Sequence, residues 1–344
     1  MEHLVIRADA NSVIGSGHVM RCLALSQAWQ ESGGNVIFVM NSSTKPIEKL
    51  IEDFNCSVYS YKSDIASEDD LKKTILHANQ VGSKWVVLDG YSFYSDFQFK
   101  LKQAGFNLLV IDDYAHSNHY YADIILNQNC YVSAELYPTS LYEPYTQLLI
   151  GPEYTMLRRE FLVFRTNQKK ISKTAKKILV TIGGGDFDNI TLQVINELKQ
   201  MDTDKLDVII VVGAVNPNIS SLEKVTSKIK SFTLIQNASN MPELMAWADI
   251  AITAGGSTCW ELAFMGVPSI IIVTAENQKP VAKYLTTSNV SLSLGLWNIQ
   301  AKNNIISFLN KLMYNMELRS NMSRLGKLLI DGYGAKRVLS KMDV

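Results

Sequence analysis

The chain has 344 residues, more than one typical core accommodates, so two domains are expected. Its 33 basic and 33 acidic residues cancel, which removes any overall pull toward nucleic acid or an anionic membrane. The longest apolar runs, such as "PSIIIV" from Pro268, fall far short of the ~20 residues a spanning helix needs, and the opening "MEHLVIRADA" lacks the blocks of a signal peptide.

In chain order, "HLVIRAD" (3–9) predicts a strand and "HVMRCLALSQAWQES" (18–32) a helix closed by Gly33 and Gly34. Further strands are expected over 35–41, 84–90, 107–114 and 122–129. Each is a nearly continuous apolar run, as in strands covered on both faces. From 164 to 177, "FRTNQKKISKTAKK" is basic and without apolar period, and reads as a solvated linker. The alternation then restarts, with strands over 177–185, 206–213, 232–237, 249–256 and 268–274 and helices over 189–200, 241–248 and 257–266. The expected architecture is α/β, with two Rossmann-like doubly wound domains facing across a cleft. The amino-terminal domain spans 1–160, a linker 161–176 and the second domain 177–320, and a carboxyl-terminal helix over 321–344 packs at the domain junction.

Four cysteines, Cys22, Cys56, Cys130 and Cys259, are widely separated and read as reduced thiols of a cytoplasmic protein. His116 and His119 form a His-x-x-His with no evident third ligand, so no metal is expected.

In open α/β sheets chemistry gathers just beyond the carboxyl ends of the strands. Two glycine turns fall there in the second half. "TIGGGDFDN" carries Gly183, Gly184 and Gly185 into a helix. "AGGSTCWEL" carries Gly256, Ser257 and Thr258 into another, with Glu261 in its first turn. Glycine lets backbone N–H groups approach an anion, and a helix start favours negative charge. Glycine also serves tight turns on steric grounds alone, Ser257 and Thr258 suit a helix cap, and Asp186 suits either a sugar hydroxyl or a cap. Neither turn has P-loop spacing. In the first half "IGSGHVMRC" places His18 between a Gly-x-Gly turn, Gly15 and Gly17, and a helix. It is either a base or a residue that packs or caps. Arg21, one turn on, either binds a phosphate or sugar or is solvated. Asp112 and Asp113 stand at one strand end, where they either orient a sugar or His18 or cap the following turn, and Asp89 and Tyr91 stand at another, where Tyr91 is placed to line a pocket.

In order along the chain, "IRADANSVIGSGHVMRCLALSQAW", "VVLDGYSF", "LLVIDDYAH", "ADIILNQN", "LLIGPEYTMLRREF" and "GGGDFDNITLQVI" resemble the UDP-2,4-diacetamido-2,4,6-trideoxy-β-L-altropyranose hydrolases of pseudaminic acid biosynthesis. They also resemble the related spore-coat polysaccharide proteins. "ITAGGSTCWELAFMGVPSIIIVTAENQ" is similar to the nucleotide-sugar half of two-Rossmann (B-type) glycosyltransferases. The resemblance implies attack of water at the anomeric carbon with inversion, release of UDP and no cofactor. It implies that His18 is the catalytic residue and Glu261 holds the ribose. Asn277 and Gln278 then lie near sugar or phosphate, and Arg158 lies at the junction. Gly185 stands where the family often has Ser, and Gly90 where some members have His. The implied partner is the UDP-sugar alone, with no nucleic acid, no stable membrane association and a monomer or weak dimer. A glycosyltransferase on the same frame, or a non-catalytic sugar-nucleotide binder, are the competing readings.

Overall fold

The structure, a computed structural model, describes residues 2–11, 14–167, 169–183, 186, 188–213 and 216–342. The chain divides into two compact units. The first is residues 1–159 with 332–344, and the second is residues 160–331.

The first unit is built on β1 (His3–Ala8), α1 (Gly17–Glu31), β2 (Asn35–Met40), α2 (Lys45–Asp53), β3 (Ser57–Ser60), α3 (Glu68–Gln80), β4 (Trp85–Asp89), α4 (Ser95–Gln103), β5 (Asn107–Ile111), β6 (Ile124–Asn127) and β7 (Gln147–Ile150), followed by α5 (Arg159–Leu162). Its strands pair in parallel in the order β3-β2-β1-β4-β5-β6-β7. The direction of winding reverses between β1 and β4, and ligands bind at such a switch point. Central strands such as β4 and β5 are buried on both faces, which is why their sequences are runs of Val, Leu and Ile.

The second unit repeats the design with β8 (Lys177–Thr181), α6 (Ile190–Leu198), β9 (Asp207–Val212), α7 (Ile219–Thr226), β10 (Phe232–Gln236), α8 (Met241–Trp247), β11 (Ile250–Ala254), α9 (Thr258–Met265), β12 (Ser269–Val273), α10 (Lys279–Thr287), β13 (Ser291–Leu296), α11 (Ile299–Met313) and α12 (Met316–Leu329). The sheet order is β10-β9-β8-β11-β12-β13, with the switch point between β8 and β11. Two doubly wound α/β domains are therefore present, as the alternation predicts.

The single closing helix expected over 321–344 is two. α12 ends before Ile330, Gly332 takes φ +77°, and α13 (Gly334–Leu339) then begins. A left-handed glycine cannot continue a helix. α13 belongs to the first unit, where Ala335, Val338 and the following Met342 join the core formed by β1, β2 and α1. Among the described residues, no helix is long and apolar enough to cross a membrane.

Candidate active site

Register brings the polar strand ends of the first unit together. Ala8 of β1 pairs with Asp89 of β4, Asp89 with Ile111 of β5, and Ile111 with Leu126 of β6. Asp89, Asp112, Asp113, Asn127 and Asn129 thus line one edge of the sheet, beside the turn from β1 into α1. Gly15 in that turn takes φ +79°, a left-handed conformation that suits glycine. Gly17 opens α1 in the ordinary helical region, with no neighbour near its missing Cβ.

His18, the second residue of α1, places its Nδ1 2.6 Å from Oδ1 of Asp89. Arg21, one turn on, donates through Nε to Asp89 Oδ2 at 2.7 Å and through Nη2 to Oδ1 at 2.6 Å. Its Nη1 reaches Asp113 at 2.9 Å. Tyr91 donates to Asp113 at 2.6 Å and packs edge-on against the His18 ring, 5.1 Å between centroids. Asn129 also donates to Asp113, at 2.8 Å. Arg21 Nη2 lies 3.2 Å from His18 Nδ1 as well. Because Arg only donates, and the carboxylate is the nearer partner, Nδ1 is assigned the proton and Nε2 the free lone pair. That is the tautomer a base acting through Nε2 requires.

Asp89 is fully buried. Burial alone raises a carboxyl's pKa, but the charge of Arg21 and the hydrogen bonds from Arg21 and His18 more than offset it and hold Asp89 well below the usual range. Asp113 is lowered by the same contest, with Arg21 the main opposing charge. The Tyr91 hydroxyl is pushed well up, first by burial and then by Asp113, so it remains a donor.

Asp112 points away from this network. It accepts from the Tyr120 hydroxyl at 2.5 Å, the Tyr137 hydroxyl at 2.8 Å, His116 Nδ1 at 2.9 Å and the Asp113 backbone at 2.7 Å. It anchors the loop beneath the site and caps its own turn. His119 turns to Glu143, 3.0 Å from its Nε2, so His116 and His119 serve different carboxylates. Arg158 stands half-buried just before α5.

In the second unit, Thr181 of β8 pairs with Thr253 of β11, so the carboxyl ends of these strands lie side by side at the switch point. Gly183 takes φ +114°. Gly184 and Gly185 lie outside the described residues. Asp186 accepts from Ile190 N at 2.7 Å and Thr191 N at 2.9 Å, so its carboxylate caps α6. Gly256 and Ser257 are exposed at the start of α9. Ser257 makes no side-chain cap bond there, and Thr258 and Glu261 follow in the first turn. Gln278 serves the scaffold through its side-chain oxygen. Its Oε1 accepts from Gly255 N at 3.2 Å and Thr274 N at 2.9 Å, which fixes the β11 turn against the end of β12. Asn277 beside it is exposed. Trp260 is core, at 3% exposure.

His18, Arg21 and Tyr91 therefore converge, and the orienting carboxylate is Asp89. Asp113 and Asn129 complete the cluster. Their signal is a polar residue ending or following an apolar strand, as in "WVVLD", "LLVIDD" and "IILNQN".

Residues 177–327 match the glycosyltransferase family 28 C-terminal domain. The chain is 28% identical over 194 residues to the spore coat polysaccharide biosynthesis protein SpsG of Bacillus subtilis, covering 56% of this chain and 57% of that protein. It is 24% identical over 284 residues to the UDP-2,4-diacetamido-2,4,6-trideoxy-beta-L-altropyranose hydrolase of Campylobacter jejuni, covering 82% of this chain and 95% of that one. The chain is thus similar to a hydrolase of this kind over most of its length. To the uncharacterized protein MJ1062 of Methanocaldococcus jannaschii it is 28% identical over 283 residues, 80% of this chain and 56% of that protein. The chain thus spans little more than half of MJ1062 and of the spore-coat relative, and nearly all of the hydrolase. The crystal structure of Acinetobacter baumannii MurG shares the fold, with TM-score 0.67 at 15% identity over 100% of this chain and 99% of that one. The two-Rossmann architecture of the B-type glycosyltransferases is therefore also the fold of this chain.

Proposed function

We propose that this protein hydrolyses a UDP-linked diacetamido-trideoxy sugar to UDP and free sugar, with UDP-2,4-diacetamido-2,4,6-trideoxy-β-L-altropyranose as the substrate class. The observation that carries the reading is the 2.6 Å contact between His18 Nδ1 and buried Asp89, which leaves Nε2 free to take a proton. In the proposed step a water oxygen bonds the anomeric carbon as the bond from that carbon to the phosphate oxygen breaks. The electron pair leaves with UDP, and the water proton passes to His18 Nε2. Attack opposite the leaving group inverts the centre. A diphosphate is already a good leaving group, so positioning of water and neutralisation of the departing charge supply most of the acceleration. The glycine turns into α6 and α9 are the proposed diphosphate cradle, and Glu261 the ribose contact. No cofactor enters. Asp89 orients the ring and stabilises the imidazolium as it forms, with Arg21 and Asp113 fixing Asp89.

A transferase passing the sugar to an acceptor is the second reading, favoured by the match to the glycosyltransferase family 28 domain. The test supplies the UDP-sugar with no acceptor and follows UDP and the anomeric proton signals. Rapid stoichiometric release of UDP with inverted free sugar is expected, and slow leakage of UDP favours the transferase. His18→Asn is expected to lower turnover by about 10²–10⁴-fold while UDP affinity stays near wild type. A His18→Asn protein that retains most of its activity overturns the assignment.

A further inference from the structure

We propose that the second unit carries a separate site for an organic phosphate, at the amino end of its sheet. A cavity of about 600 Å³ opens there, bordered by Lys169, Lys170, Lys176, Lys177, Lys327 and Asp249, with Trp247 as one wall. Its size falls within the span of small-ligand pockets. Lys177 begins β8 and Asp249 precedes β11, whereas the glycine turns follow these strands. The cavity is therefore separated from those turns by the length of the strands, about 17 Å for five residues.

Charge makes the case. The Asp249 carboxylate is committed to the backbone, accepting through Oδ2 from Lys176 N at 2.9 Å and Lys177 N at 3.1 Å. Among the described residues none of the five lysines forms an ion pair. Two are fixed in place. Lys169 donates to the Met245 and Ala246 carbonyls at the end of α8, 3.1 Å each, and Lys327 donates to the Asn167 carbonyl. Burial, with Lys327 and Lys177 adding repulsion against the opposing pull of Asp249, pushes Lys169 down to about 8. Lys170, Lys176 and Lys177 are exposed, and Lys177 Nζ sits 5.7 Å from the Trp247 ring centre. In a chain of zero net charge, five cations around one cavity against one committed carboxylate form a positive concavity. A phosphate accepts several charge-assisted hydrogen bonds at once, and the indole offers a flat face to a sugar or base ring.

The phosphate's source is either a free phosphorylated metabolite or an anionic lipid headgroup, and the test separates them. The intact protein is titrated calorimetrically with inorganic pyrophosphate, and floated with phosphatidylglycerol or phosphatidylcholine vesicles. The variant K170Q/K176Q/K177Q is compared with K224Q/K228Q/K230Q, which removes the same charge from exposed positions elsewhere in the unit. Thermal melts confirm that both are folded. Binding elsewhere on the molecule persists in both variants. The pocket variant is expected to bind pyrophosphate about tenfold more weakly than wild type, with the control near wild type. Pyrophosphate binding without vesicle capture supports a free metabolite. Capture by phosphatidylglycerol alone, lost in the pocket variant and competed by pyrophosphate, supports a headgroup. Absence of binding to either probe, or equal behaviour of the two variants, overturns the site.

Discussion

His18 depends on a residue 71 positions away in the chain, and that dependence is testable at a single atom. Asp89→Asn keeps the side-chain volume but replaces the acceptor that holds the His18 tautomer with an amide. Turnover is expected to fall by about 10²–10⁴-fold with UDP affinity retained. Folding stability should also fall, toward the lower end of the ~3–5 kcal/mol that breaking a buried pair costs, because Arg21 keeps Asp113 as a second partner. A UDP-release assay and a urea melt on one preparation check both. An Asp89→Asn enzyme with wild-type turnover removes Asp89 from the mechanism. The sequence offered His18 and Arg21 readily, since they share one short stretch. It left open whether Asp112 or Asp113 oriented the ring, because that choice rests on register. Ala8 opposite Asp89 puts Asp89 beside α1, whereas Asp112 is consumed by two tyrosines, a histidine and its own turn.

The glycine turns behave as elements, and in the turn from β11 into α9 the buried Gly255 and the exposed Gly256 differ. A Cβ at Gly255 would lie 2.9 Å from the Gln278 Cβ and 3.1 Å from the Gln278 carbonyl oxygen, whereas at Gly256 it meets nothing within 4 Å. Gly255→Ala is therefore expected to cost about 1–3 kcal/mol and to weaken UDP binding as the turn shifts, and Gly256→Ala to leave stability unchanged. Thermal melts and UDP titration of the pair decide this. Asp186→Ala removes both acceptors that cap α6 and should cost about 0.5–2 kcal/mol by urea melt. Elements buried on both sides were legible from sequence to within a few residues. β3, β7 and β13 were not, because β3 and β13 lie half-exposed without a continuous apolar run and β7 is only four residues long, whereas the edge strand β10 was. The break between α12 and α13 turned on the left-handed Gly332, one position inside an otherwise helical texture.

At the scale of the whole molecule, carboxylates set the acid limit. Asp89, Asp112 and Asp113 all have folded-state pKa values below their unfolded ones. Their contribution is fully present above the unfolded value near 4 and is lost as pH falls toward the folded values. Stability should therefore hold from about pH 7 to 5 and decline steeply below about pH 4, as urea melts across that range would report. A flat profile to pH 3 refutes the ionised network. The doubling of the α/β pattern was legible in the sequence. The return of the chain to its first domain was not, because α13 is short and its partners lie far away in sequence. Gly334 shows how close that return is, since a Cβ there would lie 2.1 Å from the Thr155 carbonyl oxygen. The return also inverts the usual order of assembly during synthesis, in which the amino-terminal domain folds first. Residues 160–331 complete the second domain before the ribosome has made Val338 and Met342, which the first core buries completely. A released chain truncated after residue 331 thus carries every residue of the second domain but a first core that lacks Val338 and Met342. The domain that holds His18 is therefore the one whose core waits for the last residues of the sequence.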